Sequence, residues 1–315
     1  MANQRAGILG TGHAYPEGIL TNADLAELVE TSDEWITTRT GIKQRRKAAP
    51  GEYTSMFADP SDIDLLLCAT VTPDQILPST GCIIQAELGA NNAAAMDVVA
   101  ACSGFLYGVA LANSMIQNGQ SKYALVIGSE ILTQYVDYTD RQTCVLFGDG
   151  AGAAVLGPVE GDKGILGAKI KSDGRYEEQL FSPGGGTRRK PTAETLAAGD
   201  HFFKMKGNEL FKVAVRSMAE ISRDVLENAG LTPADIDIFI PHQANQRITE
   251  AVADRLNVDS SKVYSNIAVH GNTSSASIPI ALDECVTSGR IKEGDLVMMT
   301  SFGGGVTWGG VLVRW

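Results

Sequence analysis

Apolar residues along the chain form short strand-like runs that alternate with longer stretches at helical spacing, as in α/β proteins. Residues 93–101 predict a buried strand, and residues 104–112 continue at helical spacing. A longer amphipathic stretch, about 208–228, predicts a second helix. The apolar run at residues 236–240 predicts a further short strand. The pattern therefore predicts an α/β fold.

Two segments of the chain resemble each other. Residues 60–67 read PSDIDLLL and residues 233–240 read PADIDIFI, each an acidic turn that leads into an apolar run. Two copies of one α/β unit predict two halves, residues 1–162 and 163–315, with a functional site where they meet. The first copy has only residues 51–59 ahead of its turn, too few for a helix as long as the one predicted at 208–228.

Composition narrows the class of protein. The chain has 315 residues, 44% of them hydrophobic, which is enough for a substantial core. The formal charge of −11 argues against nucleic-acid binding. Five cysteines without paired spacing fit a reducing compartment and argue against a metal site. No stretch is typical of a secretory signal or a membrane span, so we expect a cytoplasmic protein that binds neither nucleic acid nor membrane.

Cys102 is the first candidate for chemistry because it stands between the predicted strand and the helix that follows. At a helix N-terminus, unpaired backbone N–H groups and the helix dipole favour the thiolate over the thiol. A lone cysteine is more often a small buried apolar residue. The nucleophile hypothesis therefore depends on partners elsewhere in the chain.

Three later segments supply such partners. His242 directly follows a predicted strand, and Asn272 lies in a polar cluster at residues 270–277. Glycines in the segment 301–305 let backbone N–H groups approach a reacting carbonyl. With Cys102 these residues form a set typical of acyl transfer, in which a thiolate attacks and side chains donate hydrogen bonds to oxyanions.

The residues alone leave alternatives open. His270 is a rival to His242, and the glycines at 147–152 could bind a phosphate, although a turn into a strand at 153–156 explains them better. A cysteine hydrolase would also use Cys, His and Asn. A binding protein without activity would be expected to lack Cys102. The basic loop at 182–190 has no assigned role.

The chain resembles the β-ketoacyl-acyl-carrier-protein synthase III family, the initiating condensing enzymes of type II fatty-acid synthesis within the thiolase-like superfamily. The matching segments occur in family order along nearly the whole chain: TSDEWI (31–36) with RTGI (39–42), AACSGF (100–105), FGDGAGA (147–153), PHQAN (241–245), HGNTS (270–274) and FGGG through WG (302–309). The resemblance implies a five-layered αβαβα fold built from two related halves. Members normally carry a helix where residues 51–59 stand, so this chain departs from the family there.

The resemblance also implies residue roles. Cys102, His242 and Asn272 would be catalytic, with His242 preferred over His270. The backbone N–H groups of Cys102 and Gly304 would form the oxyanion hole. The substrates would be acyl-coenzyme A and malonyl-acyl-carrier protein, with no metal or other cofactor. Further residues would line the acyl pocket (Leu77, Phe302) or bind coenzyme A (Trp35, Arg39, Thr40, Arg141, Gly207, Asn245).

Two macromolecular contacts are expected. An acidic carrier protein needs a local basic patch, for which the candidates are Lys212, Arg216, Arg247 and Arg255, although a solvated helix face would read the same way. Family resemblance implies a homodimer in which the loop 72–79 reaches across; an intrachain loop is the alternative. The length and branching of the primer acyl chain stay undetermined. A secondary-metabolite ketosynthase or acyltransferase, or a thioesterase, stays an alternative function.

Overall fold

The computed structural model of the chain describes residues 5–49 and 62–315. The strands in these ranges are β1 (Arg5–Ala14), β2 (Ile19–Thr21), β3 (Gln44–Arg46), β4 (Leu65–Ala69), β5 (Ala94–Val98), β6 (Ala124–Ile131), β7 (Asp149–Val159), β8 (Gly164–Ser172), β9 (Leu180–Phe181), β10 (Lys204–Met205), β11 (Ile238–Pro241), β12 (Leu296–Gly303) and β13 (Thr307–Arg314). The helices are α1 (Asn22–Leu28), α2 (Asp33–Thr40), α3 (Thr80–Glu87), α4 (Gly104–Gln117), α5 (Ala193–Ala197), α6 (Gly207–Asn228), α7 (Gln246–Leu256), α8 (Ile267–His270) and α9 (Ser277–Thr287).

Two mixed sheets carry the fold. The first has the strand order β1-β7-β6-β4-β5, with β4 parallel to both β5 and β6. The second has the order β11-β12-β13-β8, with β11 parallel to β12. The strands of the first sheet lie before residue 160 and those of the second after residue 163. How the chain divides into folding units stays a prediction.

Helices α4 and α9 lie between the sheets, because α4 contacts β4, β6, β8 and β13 while α9 contacts β1, β7 and β11. Outside the first sheet α3 packs on β4 and β5. Outside the second, α6 packs on β12 and β13 and α7 packs on α6. The layers therefore run helix, sheet, helix, sheet, helix, and the predicted αβαβα fold is confirmed.

Both central helices are apolar on more than one side, as burial between two sheets requires. Phe105, Leu106 and Val109 of α4 are fully buried. They share one core cluster with Ile278 and Leu282 of α9 and with strands of both sheets. In the described ranges, no helix is long and apolar enough to cross a bilayer.

Most predicted elements are confirmed, with three differences. Strand β5, predicted to be buried, lies at the edge of the first sheet and its residues are exposed or half-buried. Strand β11 begins only at Ile238, because Pro233–Asp235 form a short 3-10 turn. Strand β7 begins at Asp149, so two of the three glycines predicted to form a turn, Gly150 and Gly152, belong to the strand itself. Gly152 pairs there with His13, and a Cβ added to it would lie 2.6 Å from the backbone nitrogen of Ile280. The shortened segment at 51–59 lies outside the described residues.

Candidate active site

Cys102 lies in the connection between β5 and α4. A 3-10 turn, Ala101–Ser103, joins them and leaves Cys102 directly before the first turn of the helix, with 6% of its surface exposed. The end of β12 lies against this turn, since a Cβ on Gly303 would come 2.6 Å from the Cys102 nitrogen. Only glycine therefore fits at position 303.

His242 follows the last residue of β11. Its backbone N–H donates to the Thr300 carbonyl at 2.8 Å and thereby continues the parallel ladder with β12. Ring nitrogen Nδ1 lies 2.6 Å from the Ser277 hydroxyl oxygen, whereas the buried Nε2 has no partner among the described residues. Burial lowers the pKa of His242 to about 3, so the imidazole is neutral at physiological pH.

Asn272 is held by a loop that bridges to the first half. Its N–H donates to the Leu146 carbonyl and its own carbonyl accepts from Gly148 N–H, both at 2.9 Å. Its side-chain oxygen Oδ1 accepts the Ser274 backbone N–H at 2.9 Å. Because a backbone N–H can bond only to the oxygen of the amide, Nδ2 is the atom left to donate to a ligand.

One cavity brings these three residues together. Cys102, His242 and Asn272 come from segments far apart in the chain, yet all line a cavity of about 140 Å³. Most of the other lining side chains are apolar: Leu146, Phe147, Leu180, Met205, Leu210, Phe211, Ala214, Met218, Ile248 and Phe302. The site is therefore a mainly apolar chamber with a nucleophile and two hydrogen-bonding side chains in its wall.

A second cavity, of about 380 Å³, meets the first at Cys102. Near the thiol its wall includes Ser274 and Gly304. The remainder is largely apolar, contributed by Val71, Val99, Leu132, Phe147, Leu180, Phe181 and Phe203. Cys102 thus stands between two chambers, one of which can hold a hydrocarbon chain.

The electrostatic environment of Cys102 does not favour the thiolate that the sequence predicts. Burial raises the pKa of the thiol to about 12. The Ser274 hydroxyl, which donates to Sγ at 3.4 Å, opposes this rise, whereas the neighbouring Glu130 carboxyl adds to it. The resting thiol is therefore protonated at neutral pH. Cys102 does lie at the start of a helix, as predicted, and burial of the thiol acts against the thiolate.

The predicted coenzyme A residues fall into two groups. Gly207 and Asn245 line the first cavity. Two guanidinium groups lie over the Trp35 ring, with Arg39 Cζ 4.5 Å and Arg141 Cζ 5.1 Å from its centroid. A hydrogen bond of 3.0 Å from Asn245 Nδ2 to the Arg39 carbonyl joins the groups. The aromatic and guanidinium group therefore lies next to the cavity-lining residue Asn245.

Thr40 differs from these residues. It is buried, and its hydroxyl donates to the Ile36 carbonyl at 2.7 Å and accepts from Ile42 N–H at 3.0 Å. Its only hydroxyl hydrogen is therefore already used within the α2 turn. A role of Thr40 in binding coenzyme A therefore stays a prediction that its side-chain hydrogen bonds do not support.

Of the two residues expected in the acyl pocket, one lines a cavity at the site and the other does not. Phe302 is buried and lines the first cavity. Leu77 lines neither cavity and is 84% exposed. Within one chain, Leu77 is therefore not part of the site.

The four basic residues lie on α6 and α7, which pack together beside the first cavity. Lys212 follows the lining residue Phe211, and Arg247 Cζ is 5.9 Å from the Phe211 ring centroid. Arg216 shares a surface depression with Asp173 and Glu220. Arg255 stands eight residues after Arg247, roughly 12 Å further along α7. Lys212 and Arg247 are thus the pair near the cavity.

His270, the rival histidine, has a structural environment instead. Its Nε2 lies 2.9 Å from Glu284 Oε1, and its ring stacks on Tyr15 at a centroid distance of 4.2 Å. Tyr264 and Asn266 donate to the same carboxylate. His270 lines neither of the two cavities that contain Cys102.

Sequence reasoning missed the polar residues that support the site. Ser274 and Ser277 read as helix-capping residues, yet their hydroxyls contact Cys102 and His242. Glu130, in the apolar strand β6, is 1% exposed and lies 2.8 Å from the hydroxyls of Thr72 and Ser275. A carboxylic acid inside an apolar run was the available signal. Among residues 5–49 and 62–315, no cluster of His, Cys, Asp and Glu could hold a metal ion.

A buried thiol faced by an imidazole and an amide, in a fold of this layered kind, defines an acyltransferase of the thiolase-like class. Family models for 3-oxoacyl-[acyl-carrier-protein] synthase III and for its C-terminal region match residues 96–174 and 226–315. The β-ketoacyl-[acyl-carrier-protein] synthase III of Caldanaerobacter subterraneus subsp. tengcongensis is 50% identical, and the match covers 98% of each chain. The chain belongs to the β-ketoacyl-[acyl-carrier-protein] synthase III family.

Solved structures agree with this assignment. The crystal structure of 3-oxoacyl-[acyl-carrier-protein] synthase III from Aquifex aeolicus shares 47% identity and a TM-score of 0.91, and covers 98% of this chain and 100% of its own. The priming β-ketosynthase from the R1128 polyketide biosynthetic pathway has the same TM-score at 34% identity, over 99% and 97% of the two chains. The same architecture therefore occurs in fatty-acid and in polyketide enzymes.

The protonated state of Cys102 can be tested by alkylation. Between pH 7 and 10 we expect its reaction rate with iodoacetamide to rise about tenfold per pH unit, because the thiolate reacts and its fraction stays small below a pKa of about 12. Mass spectrometry of the peptide that carries Cys102 measures the rate. A rate that levels off below pH 9 would show instead that the helix terminus prevails.

Proposed function

We propose that this enzyme catalyses the initiating condensation of fatty-acid synthesis. An acyl group passes from acyl-coenzyme A to Cys102, and malonyl-acyl-carrier protein then condenses with it to give 3-oxoacyl-acyl-carrier protein and CO2. The observation that carries the proposal is the shared cavity, in which Cys102, His242 and Asn272 meet at the junction with an apolar chamber. Family membership at about 50% identity supports the same reaction.

In the first half-reaction Cys102 Sγ attacks the thioester carbonyl of acyl-coenzyme A. The backbone N–H groups of Cys102 and Gly304 stabilise the oxyanion, and the carbon–sulfur bond to coenzyme A then breaks. Since Cys102 starts as a thiol, its proton ends on the coenzyme A thiol that leaves. The acyl chain occupies the apolar cavity beyond Cys102, whose wall includes Leu132 and Phe203.

In the second half-reaction the malonyl thioester loses CO2, and an enolate oxygen develops negative charge. Asn272 Nδ2 and His242 Nε2–H donate hydrogen bonds to that oxygen. The enolate carbon then attacks the acyl group on Cys102, and the cysteine sulfur leaves as a thiolate that takes up a proton from water to restore the resting thiol. Loss of CO2 drives the sequence, so the proposed chemistry takes two thioester substrates and no cofactor. The five cysteines are unpaired, which supports a reducing cytoplasm as its location.

Two alanine substitutions separate the half-reactions. We expect His242→Ala and Asn272→Ala to slow decarboxylation of malonyl-acyl-carrier protein by about 10²–10³-fold, because each removes a donor to the enolate oxygen, and to slow acyl loading of Cys102 much less. Radiolabelled CO2 release measures the first step and intact-protein mass spectrometry the second.

Cys102→Ser is the control for loading, since it should form no acyl adduct at all. Decarboxylation at the wild-type rate in either alanine variant would contradict the assigned roles. Hydrolysis of acyl-coenzyme A without carbon–carbon bond formation would identify a thioesterase instead.

We further propose that the carrier protein docks beside α6 and α7, at Lys212 and Arg247. Both side chains are exposed. Lys212 follows the cavity-lining residue Phe211 in α6, and Arg247 Cζ lies 5.9 Å from the centroid of the Phe211 ring. The enzyme carries a net charge of −11, so an acidic carrier protein needs local positive charge to approach. Arg216, beside two carboxylates, and Arg255, at the far end of α7, are less well placed.

Charge reversal tests this surface. We expect Lys212→Glu and Arg247→Glu to raise the KM for malonyl-acyl-carrier protein about tenfold or more, because rim charges act on encounter, while acyl-coenzyme A loading stays near wild type. Arg255→Glu is the matched control, with the same charge change on the same helix. An equal loss in Arg255→Glu would show that the effect depends on net charge rather than on docking.

We also propose a homodimer in which Leu77 of one subunit reaches the acyl cavity of the other. Strand β5 is an edge strand of the first sheet, and three apolar side chains near it are exposed, namely Ile76, Leu77 and Val99. Val99 is 76% exposed and also lines the acyl cavity, so the cavity is open on this side. A second subunit could close it and bury the apolar surface.

Primer choice tests the dimer together with the role of Leu77. We expect Leu77→Phe to narrow the cavity and shift preference toward acetyl-coenzyme A, and Leu77→Ala to admit longer or branched primers. Competition among acyl-coenzyme A thioesters, followed by mass spectrometry of the products, measures the profile. A monomer in sedimentation at micromolar concentration, or an unchanged profile in both variants, would overturn the proposal.

A further inference from the structure

Ser277, the first residue of α9, contacts the catalytic histidine from behind. The residue is 2% exposed, and its Oγ lies 2.6 Å from His242 Nδ1. The same oxygen accepts the backbone N–H of Gln243 at 3.4 Å. These are the two hydrogen bonds of the Ser277 hydroxyl within the described part of the chain.

The proton between Ser277 and His242 can be placed in two ways. If Nδ1 carried it, Ser277 Oγ would accept from both Nδ1–H and the Gln243 N–H, and its own hydrogen would be buried without an acceptor. If the hydroxyl donates to Nδ1, the oxygen still accepts from Gln243 and every group of Ser277 is satisfied. The second arrangement places the imidazole proton on Nε2.

We infer that Ser277 is a positioning residue that holds neutral His242 as the Nε2–H tautomer. This inference rests on the proposed function, in which Nε2–H donates to the enolate oxygen. Nε2 is buried and without a partner among the described residues, so its hydrogen is available to a ligand in the cavity. Without Ser277, the proton could reside on Nδ1, and Nε2 would then present a lone pair to the enolate.

The two half-reactions should therefore respond differently to loss of the hydroxyl. Decarboxylation needs a donor at Nε2, whereas loading uses the backbone N–H groups of Cys102 and Gly304. We expect Ser277→Ala to slow decarboxylation on the order of tenfold or more, and loading by no more than about threefold. Ser277→Thr, which keeps a hydroxyl, should restore most of the rate.

Ser222→Ala is the matched control for folding. Ser222 is fully buried and its hydroxyl donates to the Met218 carbonyl of its own helix, without contact to His242. This variant should leave both half-reactions near wild type. Equal slowing of both half-reactions in Ser277→Ala, or no rescue by threonine, would assign Ser277 a merely structural role and overturn the inference.

Nitrogen NMR of the histidine-labelled enzyme measures the tautomer directly. We expect the wild-type His242 ring to show a protonated Nε2 and an unprotonated Nδ1, and Ser277→Ala to show both tautomers. A protonated Nδ1 in the wild type would refute the inference even if Ser277→Ala failed to fold. If His242→Ala decarboxylates normally the proposed function fails; if His242→Ala is impaired and Ser277→Ala is not, only the role of Ser277 fails.

Discussion

The site depends on direct backbone contact between segments that precede residue 160 and segments that follow residue 163. A Cβ on Gly303 would meet the Cys102 nitrogen, one on Gly128 the Ser275 carbonyl, and one on Gly148 the His270 carbonyl. At each point the missing side chain lets one main chain lie against another. The nucleophile turn therefore sits within reach of the loops that carry the imidazole and the amide, and even a methyl group would separate them.

The same close packing buries the titratable groups of the site, and burial shifts their pKa values toward the neutral forms. Burial raises the pKa of Cys102 and lowers the pKa of His242, so both are neutral at physiological pH. Burial also raises the pKa of Glu130, although the hydrogen bonds from Thr72, Val71 and Ser275 oppose the rise. Hydrogen-bond donors in such a desolvated site interact strongly with charge that develops during the reaction.

Orientation of those donors comes from residues behind them. The Ser274 N–H turns the Asn272 amide so that Nδ2 is left for a ligand, and the Ser277 hydroxyl lies against His242 Nδ1. Ser274 also reaches Cys102 through its own hydroxyl. One short segment, residues 272–277, thus touches all three members of the site. Within this segment Ser274 has a positive φ of 49°, a conformation that is uncommon for residues other than glycine.

Local pattern was enough to predict an α/β fold, the helix that starts beside Cys102, and the strand that ends just before His242, whereas the five layers were expected only from the family resemblance. Periodicity and capping act between residues near in sequence, so they can be read from the chain alone. Other features could not be predicted from the chain alone. They are the protonation of Cys102, the buried hydroxyl of Thr40, the exposure of Leu77 and the contacts of Glu130 and Ser277. Each depends on burial or on a partner contributed by distant segments, and only the tertiary structure decides which segments meet.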